Sequence, residues 1–137
     1  MKPIKSLEKI RIAKSKISKA GRGVFATQKI KKGEVIENCP VLVLPKKDYP
    51  IVKQTILRNY YFMWGKATCG ICLGFGSIYN HSYDPNAIYK KKIKDELIQF
   101  ITIRDIKKGE EITVNYNYGN PNDKSSLWIK KINPYLG

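Results

Sequence analysis

The sequence of 137 residues predicts a mainly β fold with short helices, on the basis of three observations. Apolar residues recur near a period of two in most segments, and Gly, Pro and Asn divide the chain into short pieces. No long segment carries a helical period, which excludes an all-helical fold. One domain is expected, because a chain of this length can bury about two thirds of its unfolded surface in a single core.

The candidate strands are the short apolar runs, taken in chain order. They cover residues 10–14, 23–27, 35–44, 69–74, 97–104 and 111–116. Helix is predicted only over residues 50–60, where Pro50 suits a first turn and Ile51, Val52, Ile56 and Tyr60 recur at roughly helical spacing.

One motif occurs twice in the chain. Residues 29–36 read Lys-Ile-Lys-Lys-Gly-Glu-Val-Ile, and residues 105–112 read Asp-Ile-Lys-Lys-Gly-Glu-Glu-Ile. Each copy predicts a strand, a tight turn and a second strand. Gly33 and Gly109 are expected to take a positive φ, which glycine adopts without steric cost, and the flanking Ile side chains are expected in the core.

The formal net charge is +15, from 26 Lys and Arg against 11 Asp and Glu. Such a surface attracts polyanions, so nucleic acid or chromatin is an expected neighbour. The alternative is a set of solvated lysines without a specific partner. No stretch approaches the roughly 20 apolar residues of a membrane span, and no secretory signal is recognised, so a soluble, intracellular protein is expected.

The three cysteines, Cys39, Cys69 and Cys72, are interpreted as reduced thiols. The pair Cys69 and Cys72 has zinc-like spacing, but only Cys39 and His81 remain to complete four ligands. Buried strand cysteines are therefore favoured, and no metal is expected.

The segment 74–87 is rich in Gly, Asn, Ser, Asp and Pro, yet carries Phe75, Ile78 and Tyr79, so it predicts an ordered loop. It contains His81, the one histidine of the sequence. A lone His without a paired carboxylate is more often structural than catalytic. No hydrolytic triad, phosphate loop or pair of catalytic acids is found, whereas tyrosine occurs nine times.

Three segments together resemble the SET-domain lysine methyltransferases, in the order of that family. They are Gly21-Arg22-Gly23-Val24-Phe25-Ala26, then Gly76-Ser77-Ile78-Tyr79-Asn80-His81-Ser82-Tyr83-Asp84-Pro85-Asn86-Ala87, and then Gly109-Glu110-Glu111-Ile112-Thr113-Val114-Asn115-Tyr116. The resemblance is closest to the minimal viral-type SET proteins. It implies a β-clip-like fold of several small sheets with a C-terminal pseudoknot. The expected division is one SET domain over residues 1–137, with a core of about 11–118 and a tail of 119–137 without zinc cysteines.

The resemblance also implies an activity: transfer of a methyl group from S-adenosylmethionine, without a metal, to a lysine of another protein. It implies three catalytic or channel residues, Tyr116, Tyr89 and Tyr61. It implies the cofactor-binding residues Gly21, Arg22, Gly23, Tyr60, Asn80, His81, Tyr116 and Trp128. Tyr89 and Val114 are expected to influence how many methyl groups are added.

The expected substrate is a histone tail or another basic chromatin protein. Because the enzyme is itself basic, it is expected either to present an acidic cleft, from Glu34, Glu37, Asp84, Glu110 or Glu111, or to engage nucleosomal DNA. A catalytically weak module that binds nucleic acid is the alternative function, and a carbohydrate- or ice-binding β-clip domain is a third. A homodimer is considered, and the expected location is the nucleus of a host cell for a viral or effector protein and otherwise the cytoplasm.

Overall fold

The fold is known from a computed structural model that describes residues 9–117 and 119–127. The strands are β1 (Ile10–Lys14), β2 (Arg22–Ala26), β3 (Val35–Val43), β4 (Phe62–Trp64), β5 (Thr68–Cys72), β6 (Asn80–His81), β7 (Ala87–Lys92), β8 (Leu97–Thr102) and β9 (Glu111–Val114). The helical pieces are the 3₁₀ turn η1 (Lys46–Asp48), the helix α1 (Tyr49–Val52) and the 3₁₀ turn η2 (Ile56–Asn59). The predicted class, mainly β with short helices, is confirmed.

The strands form two sheets. One sheet has the order β1-β2-β9-β6, and the other has the order β4-β5-β3-β8-β7. The named strand pairs are antiparallel except β6 and β9, which run parallel and align Asn80 with Thr113 and His81 with Val114. This parallel pair brings the second and third sequence motifs side by side.

The repeated motif joins the two sheets. Ile30 and Ile106 form an antiparallel bridge, with N···O distances of 2.9 and 2.8 Å. Gly33 and Gly109 have φ angles of 84° and 86°, so both have the positive φ that the sequence predicts for these turns. The flanking isoleucines are completely buried, which confirms their predicted place in the core; they are Ile30, Ile36, Ile106 and Ile112.

The predicted helix over residues 50–60 is two short pieces. The helix α1 ends at Val52, and Thr55 then accepts the Leu57 N–H at 3.1 Å through its side chain, which starts η2. Thr55 thus caps a new turn instead of continuing the first helix. None of the helices in the described part of the chain is long and apolar enough to cross a bilayer.

The six predicted strands are all present, most of them one or two residues shorter than predicted. The structure adds β4, β6 and β7, which the sequence patterns did not indicate. The cysteines lie in β3 and β5, where all three are buried, as predicted. Among the described residues, no three His, Cys, Asp or Glu side chains are grouped to hold a metal ion.

Candidate active site

A cavity of about 140 Å³ lies between β4, β7 and the segment after β9. Its walls are mainly aromatic and apolar. They are formed by Asn59, Tyr60, Tyr61, Phe62, Met63, Gly76, Ser77, Tyr79, Tyr89, Lys91, Val114, Tyr116, Asn117 and Leu127. Pockets that enclose a whole drug-sized ligand occupy roughly 300–1,000 Å³, so this cavity suits a slender chain rather than a nucleoside cofactor.

Tyr116 lies in the wall of this cavity and is held at both ends. Its hydroxyl donates a hydrogen bond of 2.6 Å to the Tyr79 carbonyl oxygen, and its backbone N–H donates to His81 Nδ1 at 3.0 Å. Burial, together with the nearby Tyr89 and Tyr60, raises the pKa of the Tyr116 hydroxyl. The hydroxyl is therefore neutral at physiological pH, and its lone pairs are left to accept a hydrogen bond.

The other tyrosines of the cavity are positioned by ring contacts. Phe62 and Tyr89 meet edge to face with centroids 5.3 Å apart, and Tyr89 also packs on Phe100. Tyr49 meets Tyr61 edge to face at 5.5 Å, and their hydroxyls are 3.3 Å apart. Such packing holds the aromatic rings in place and makes much of the cavity wall apolar.

The glycine segment lies on the neighbouring sheet. Asn80 Nδ2 donates to the Arg22 carbonyl oxygen at 2.8 Å and to Glu111 Oε2 at 2.9 Å. A Cβ added at Gly23 would lie only 2.4 Å from Glu111 Oε2 and 3.0 Å from Asn80 Nδ2. Glycine is thus required at position 23 so that Asn80 and Glu111 can reach the turn.

His81 connects this sheet to the cavity. Because Nδ1 accepts the Tyr116 N–H, Nε2 carries the proton of the neutral ring. That Nε2 is buried and has no hydrogen-bond partner among the described residues. Burial also lowers the pKa of the His81 imidazole, which favours the neutral form. His81 therefore offers an unpaired donor beside Tyr116, and not an acid-base pair.

The proposed acidic cleft is not at the cavity, because no carboxylate is among its described lining residues. The Glu37 carboxylate accepts hydrogen bonds from the Tyr79 hydroxyl and the Phe75 N–H. The Glu111 carboxylate accepts hydrogen bonds from the Ser15 hydroxyl and the Asn80 amide. Glu34 pairs with Lys9, and Asp84 pairs with Arg104. These carboxylates organise backbone turns and loops, and an acidic cleft elsewhere on the surface stays a prediction.

The structure divides the predicted site residues into two groups. Tyr60, Tyr61, Tyr89 and Tyr116 line one cavity. Arg22 and Asn80 are joined by a hydrogen bond next to Gly23, and this second group reaches the first through His81. Gly21 precedes β2 with a φ of 76°. Trp128 lies outside the described residues.

Several lining residues were not assigned to the site from sequence, and Lys91, Tyr79 and Asn59 are the polar ones with distinctive environments. Lys91 donates to the Met63 carbonyl oxygen at 2.7 Å, and burial lowers the pKa of its amine. Tyr79 is completely buried. Asn59 Oδ1 is buried without a hydrogen-bond partner among the described residues. Of these three, only Tyr79 has a sequence feature that could have placed it in the site, because it directly precedes the Asn-His pair.

The comparisons with known proteins agree with this arrangement. A family model described as the SET domain matches residues 21–117. The histone-lysine N-methyltransferase, H3 lysine-37 specific, of Schizosaccharomyces pombe is 39% identical over 97 residues, covering 70% of this chain and 66% of that protein. The variant-silencing SET domain-containing protein of Plasmodium falciparum is 36% identical over 117 residues, covering 75% of this chain and 5% of that protein.

Solved structures share the fold. A Plasmodium falciparum protein described as a prospective histone methyltransferase superposes with a TM-score of 0.68 at 32% identity, over 82% of this chain and 96% of that one. An autoinhibited polycomb repressive complex 2 bound to S-adenosylmethionine gives a TM-score of 0.69 at 24% identity, over 85% of this chain and 16% of that one, and shows the fold alone.

The match of the family model extends over most of the chain and includes all three motifs. The β-clip-like arrangement of small sheets that the resemblance implied is also found in the superposed structures. This protein belongs to the SET domain family.

Proposed function

We propose that the protein is an S-adenosylmethionine-dependent protein-lysine N-methyltransferase. The observation that carries this proposal is the orientation of Tyr116 in the aromatic cavity. Its hydroxyl proton is committed to the Tyr79 carbonyl oxygen at 2.6 Å, so its lone pairs can accept from an amine that enters the cavity. A narrow aromatic cavity with one fixed acceptor suits the end of a lysine side chain.

Methyl transfer requires the acceptor lysine as an uncharged amine. A free lysine has a pKa of about 10.4, so only about one molecule in a few thousand is neutral at pH 7. The aromatic walls of the cavity disfavour the ammonium form because they hydrate it poorly. Tyr116 then holds an N–H of the amine, which directs the lone pair along one line and raises the effective concentration of the reactive geometry.

S-adenosylmethionine supplies a methyl group on a positively charged sulfonium. The unpaired, buried Nε2–H of His81 fits a ligand that carries acceptor groups, as this cofactor does in its carboxylate, ribose and adenine. We propose that Gly21, Arg22, Gly23, Asn80 and His81 hold it, with Tyr60, Tyr116 and Trp128. The Asn80 amide nitrogen already donates to two protein acceptors, so Asn80 contributes chiefly by fixing the turn at residue 22.

The number of methyl groups transferred depends on the room beside the acceptor amine. Tyr89 and Val114 line the cavity, and Tyr61 faces them in the same lining. We propose that these side chains limit the rotation of a methylated amine. Tyr89→Phe would make room for one more methyl group or a water molecule.

Histone is the proposed substrate class, and the nucleus is the proposed location. The relative from Schizosaccharomyces pombe is named as specific for lysine-37 of H3, and this chain spans 66% of its length. The test is methyl transfer from labelled S-adenosylmethionine to recombinant histones, followed by mass spectrometry of the modified peptide. Transfer to a histone lysine supports the proposal. Bound cofactor without transfer to any histone or lysate protein would contradict it.

A second candidate function is a binding module for nucleic acid or chromatin, which the net charge of +15 favours. In that case affinity for DNA should fall steeply with salt, while methyl transfer stays at background. Measurement of both quantities on one preparation separates the two functions. Strong transfer to an isolated histone peptide favours the enzyme.

A further inference from the structure

The two copies of the repeated motif are paired in the fold, although they are 76 positions apart in sequence. Ile30 and Ile106 form an antiparallel bridge, so Lys29 lies beside Lys107, Lys31 lies beside Asp105, and the two Lys-Lys-Gly turns extend from opposite ends of the bridge. We define the twin-turn surface by its five exposed lysines, which are Lys29, Lys31, Lys32, Lys107 and Lys108. A Cβ added at Gly33 or Gly109 would meet no atom within 4 Å, so both turns project from the body of the protein.

The two turns are built alike. Glu34 Oε1 accepts the Lys31 N–H at 3.0 Å, and Glu110 Oε1 accepts the Lys107 N–H at 3.1 Å. The Gly33 N–H donates to the Thr102 carbonyl oxygen, and the Gly109 N–H donates to that of Ala26. Each turn is therefore tied both to itself and to a strand, so its lysine backbone is fixed before any partner arrives.

The carboxylates of this surface are occupied by the protein. Glu34 is also paired with Lys9, Asp105 accepts the Lys32 N–H at 2.8 Å, and Glu110 accepts Asn86 Nδ2 at 2.9 Å. Within residues 9–117 and 119–127, the salt bridges join Lys9 to Glu34 and Arg104 to Asp84 and include none of the five lysines. The ammonium groups of the five lysines are thus left for an external anion.

We propose that the twin-turn surface binds the phosphate backbone of double-stranded DNA. Five lysines on two fixed, projecting turns suit a partner with several closely spaced negative charges, and lysine contacts to phosphate need no particular base sequence. The described lining of the cavity contains no carboxylate and so offers no acidic contact to a basic tail there. Attraction to DNA would then bring the enzyme to its substrate.

The surface is placed so that DNA contact and the cavity can work together. Lys108 and Val114, which lines the cavity, are six residues apart in sequence, so their Cα atoms are at most about 20 Å apart even if the segment were fully extended. A histone tail that leaves the same nucleosome can reach that far. This last step rests on the proposed function, whereas DNA binding by the surface does not.

The test compares two variants of equal net charge. The surface variant carries Lys31→Gln, Lys32→Gln, Lys107→Gln and Lys108→Gln. The control variant carries Lys66→Gln, Lys90→Gln, Lys92→Gln and Lys94→Gln. These are exposed lysines of the five-stranded sheet and its turns. Binding to a short duplex is measured by fluorescence anisotropy at several salt concentrations, with the thermal midpoint of each variant as the check on folding.

We expect the surface variant to bind DNA at least about tenfold more weakly, and its slope of log K against log salt to fall by roughly 3, since each phosphate contact contributes about 0.9. The control variant should change by less than about threefold, because scattered charges make few simultaneous contacts. Equal losses in both variants would mean diffuse attraction and would overturn the proposal. So would tighter binding of the wild type to polyglutamate than to DNA, which would indicate an acidic protein partner.

Methylation assays separate this proposal from the proposed function. With an isolated histone peptide, both variants should keep the wild-type rate, since no substituted lysine lines the cavity. With nucleosomes, KM should rise in the surface variant alone. If no peptide or nucleosome is methylated by the wild type but the DNA result holds, the binding surface stands and the enzymatic function fails.

Discussion

The hydroxyl of Tyr116 donates a hydrogen bond of 2.6 Å to the carbonyl oxygen of Tyr79. This bond joins the residue that ends the third motif to the residue that precedes the Asn-His pair of the second. Tyr79 is in turn fixed by its own hydroxyl, which donates to Glu37 at 2.9 Å, and by stacking on Phe100 at 4.3 Å. The Tyr116 hydroxyl oxygen, which is the hydrogen-bond acceptor in the cavity wall, is therefore held by a chain of contacts that ends in the core.

Substitution Tyr116→Phe should reduce methyl transfer by at least about 100-fold, because it removes one preorganised hydrogen-bonding group at the reacting centre. The lost bond to Tyr79 should cost about 1 kcal/mol of unfolding free energy. Initial rates with a histone peptide and calorimetric binding of S-adenosylhomocysteine measure the two effects. Tyr83→Phe is the matched control, since that hydroxyl also donates to a backbone carbonyl, at Ser125, but does not line the cavity. A Tyr116→Phe variant with full activity would exclude this residue from catalysis.

Folding stability should fall as the pH is lowered through about 6.5, because of His81. Burial lowers the pKa of the folded His81 imidazole below its usual 6.5, so the unfolded chain binds the proton more tightly in this range. The stabilisation is complete above pH 6.5 and is lost as the pH falls through the lower folded value. Protonation also replaces the Nδ1 acceptor with a donor that opposes the Tyr116 N–H.

The thermal midpoint between pH 7.5 and pH 5 measures this effect. His81→Asn should flatten the pH dependence in that window, because the sequence contains no other histidine. Losses below about pH 5 arise from carboxylates and should persist in the variant. A wild-type midpoint that does not change between pH 7.5 and pH 5 would contradict the assignment.

The strands that sequence patterns revealed are those that carry a short apolar run between turn residues. The strand β1 has the predicted bounds, which its pairing with β2 sets. The turns at Gly33 and Gly109 have the predicted φ sign because local sterics favour glycine there. The strand β7 was missed because its three consecutive lysines hide the alternation of Ala87 and Tyr89. The two polar residues of β6 are a strand only through parallel pairing with β9, which no local pattern specifies.

For the candidate site too, sequence patterns identified local motifs but not the contacts between distant residues. The motif residues Gly23, Asn80 and Tyr116 were identified from sequence, but their connections were not. The role of Glu111 depends on its reach across the sheet to Asn80 and Ser15, residues 31 and 96 positions away. Lys91 and Asn59 enter the cavity wall through the packing of β4 against β7, and lysine or asparagine in isolation carries no sign of this.

Gly23→Ala should destabilise the fold by roughly 1–3 kcal/mol, since the new Cβ would overlap the Glu111 carboxylate at 2.4 Å. It should also weaken cofactor binding, because Asn80 and the turn at Arg22 must shift. Chemical denaturation and calorimetry with S-adenosylhomocysteine measure the two effects. The double variant Gly23→Ala/Glu111→Ala should be less destabilised than the sum of the single variants, because removal of the carboxylate relieves the overlap. Strict additivity would show that the two residues do not compete for this space.

Lys91→Met should move the pH dependence of kcat to higher pH, because kcat reports protonation states in the enzyme–substrate complex. Lys91 lines the cavity, and its ammonium group disfavours a second ammonium group on the acceptor lysine, which lowers the pKa of that amine. Methionine keeps the apolar length of the side chain but removes the charge. The alkaline rise of the profile should therefore shift upward by roughly half a pH unit or more, and the rate at pH 7 should fall.

The control for this prediction is Lys90→Met, the preceding residue of β7. Its side chain points to the opposite face of the strand and is exposed, so it shares the charge change without sharing the cavity. Loss of the Lys91 hydrogen bond to Met63 alone would lower the thermal midpoint and leave the pH profile in place, because a structural contact does not set the protonation of the substrate. If the pH profile moves equally in both variants, the effect comes from overall charge. If the shift is confined to Lys91→Met, Lys91 makes a local electrostatic contribution to the deprotonation of the acceptor lysine.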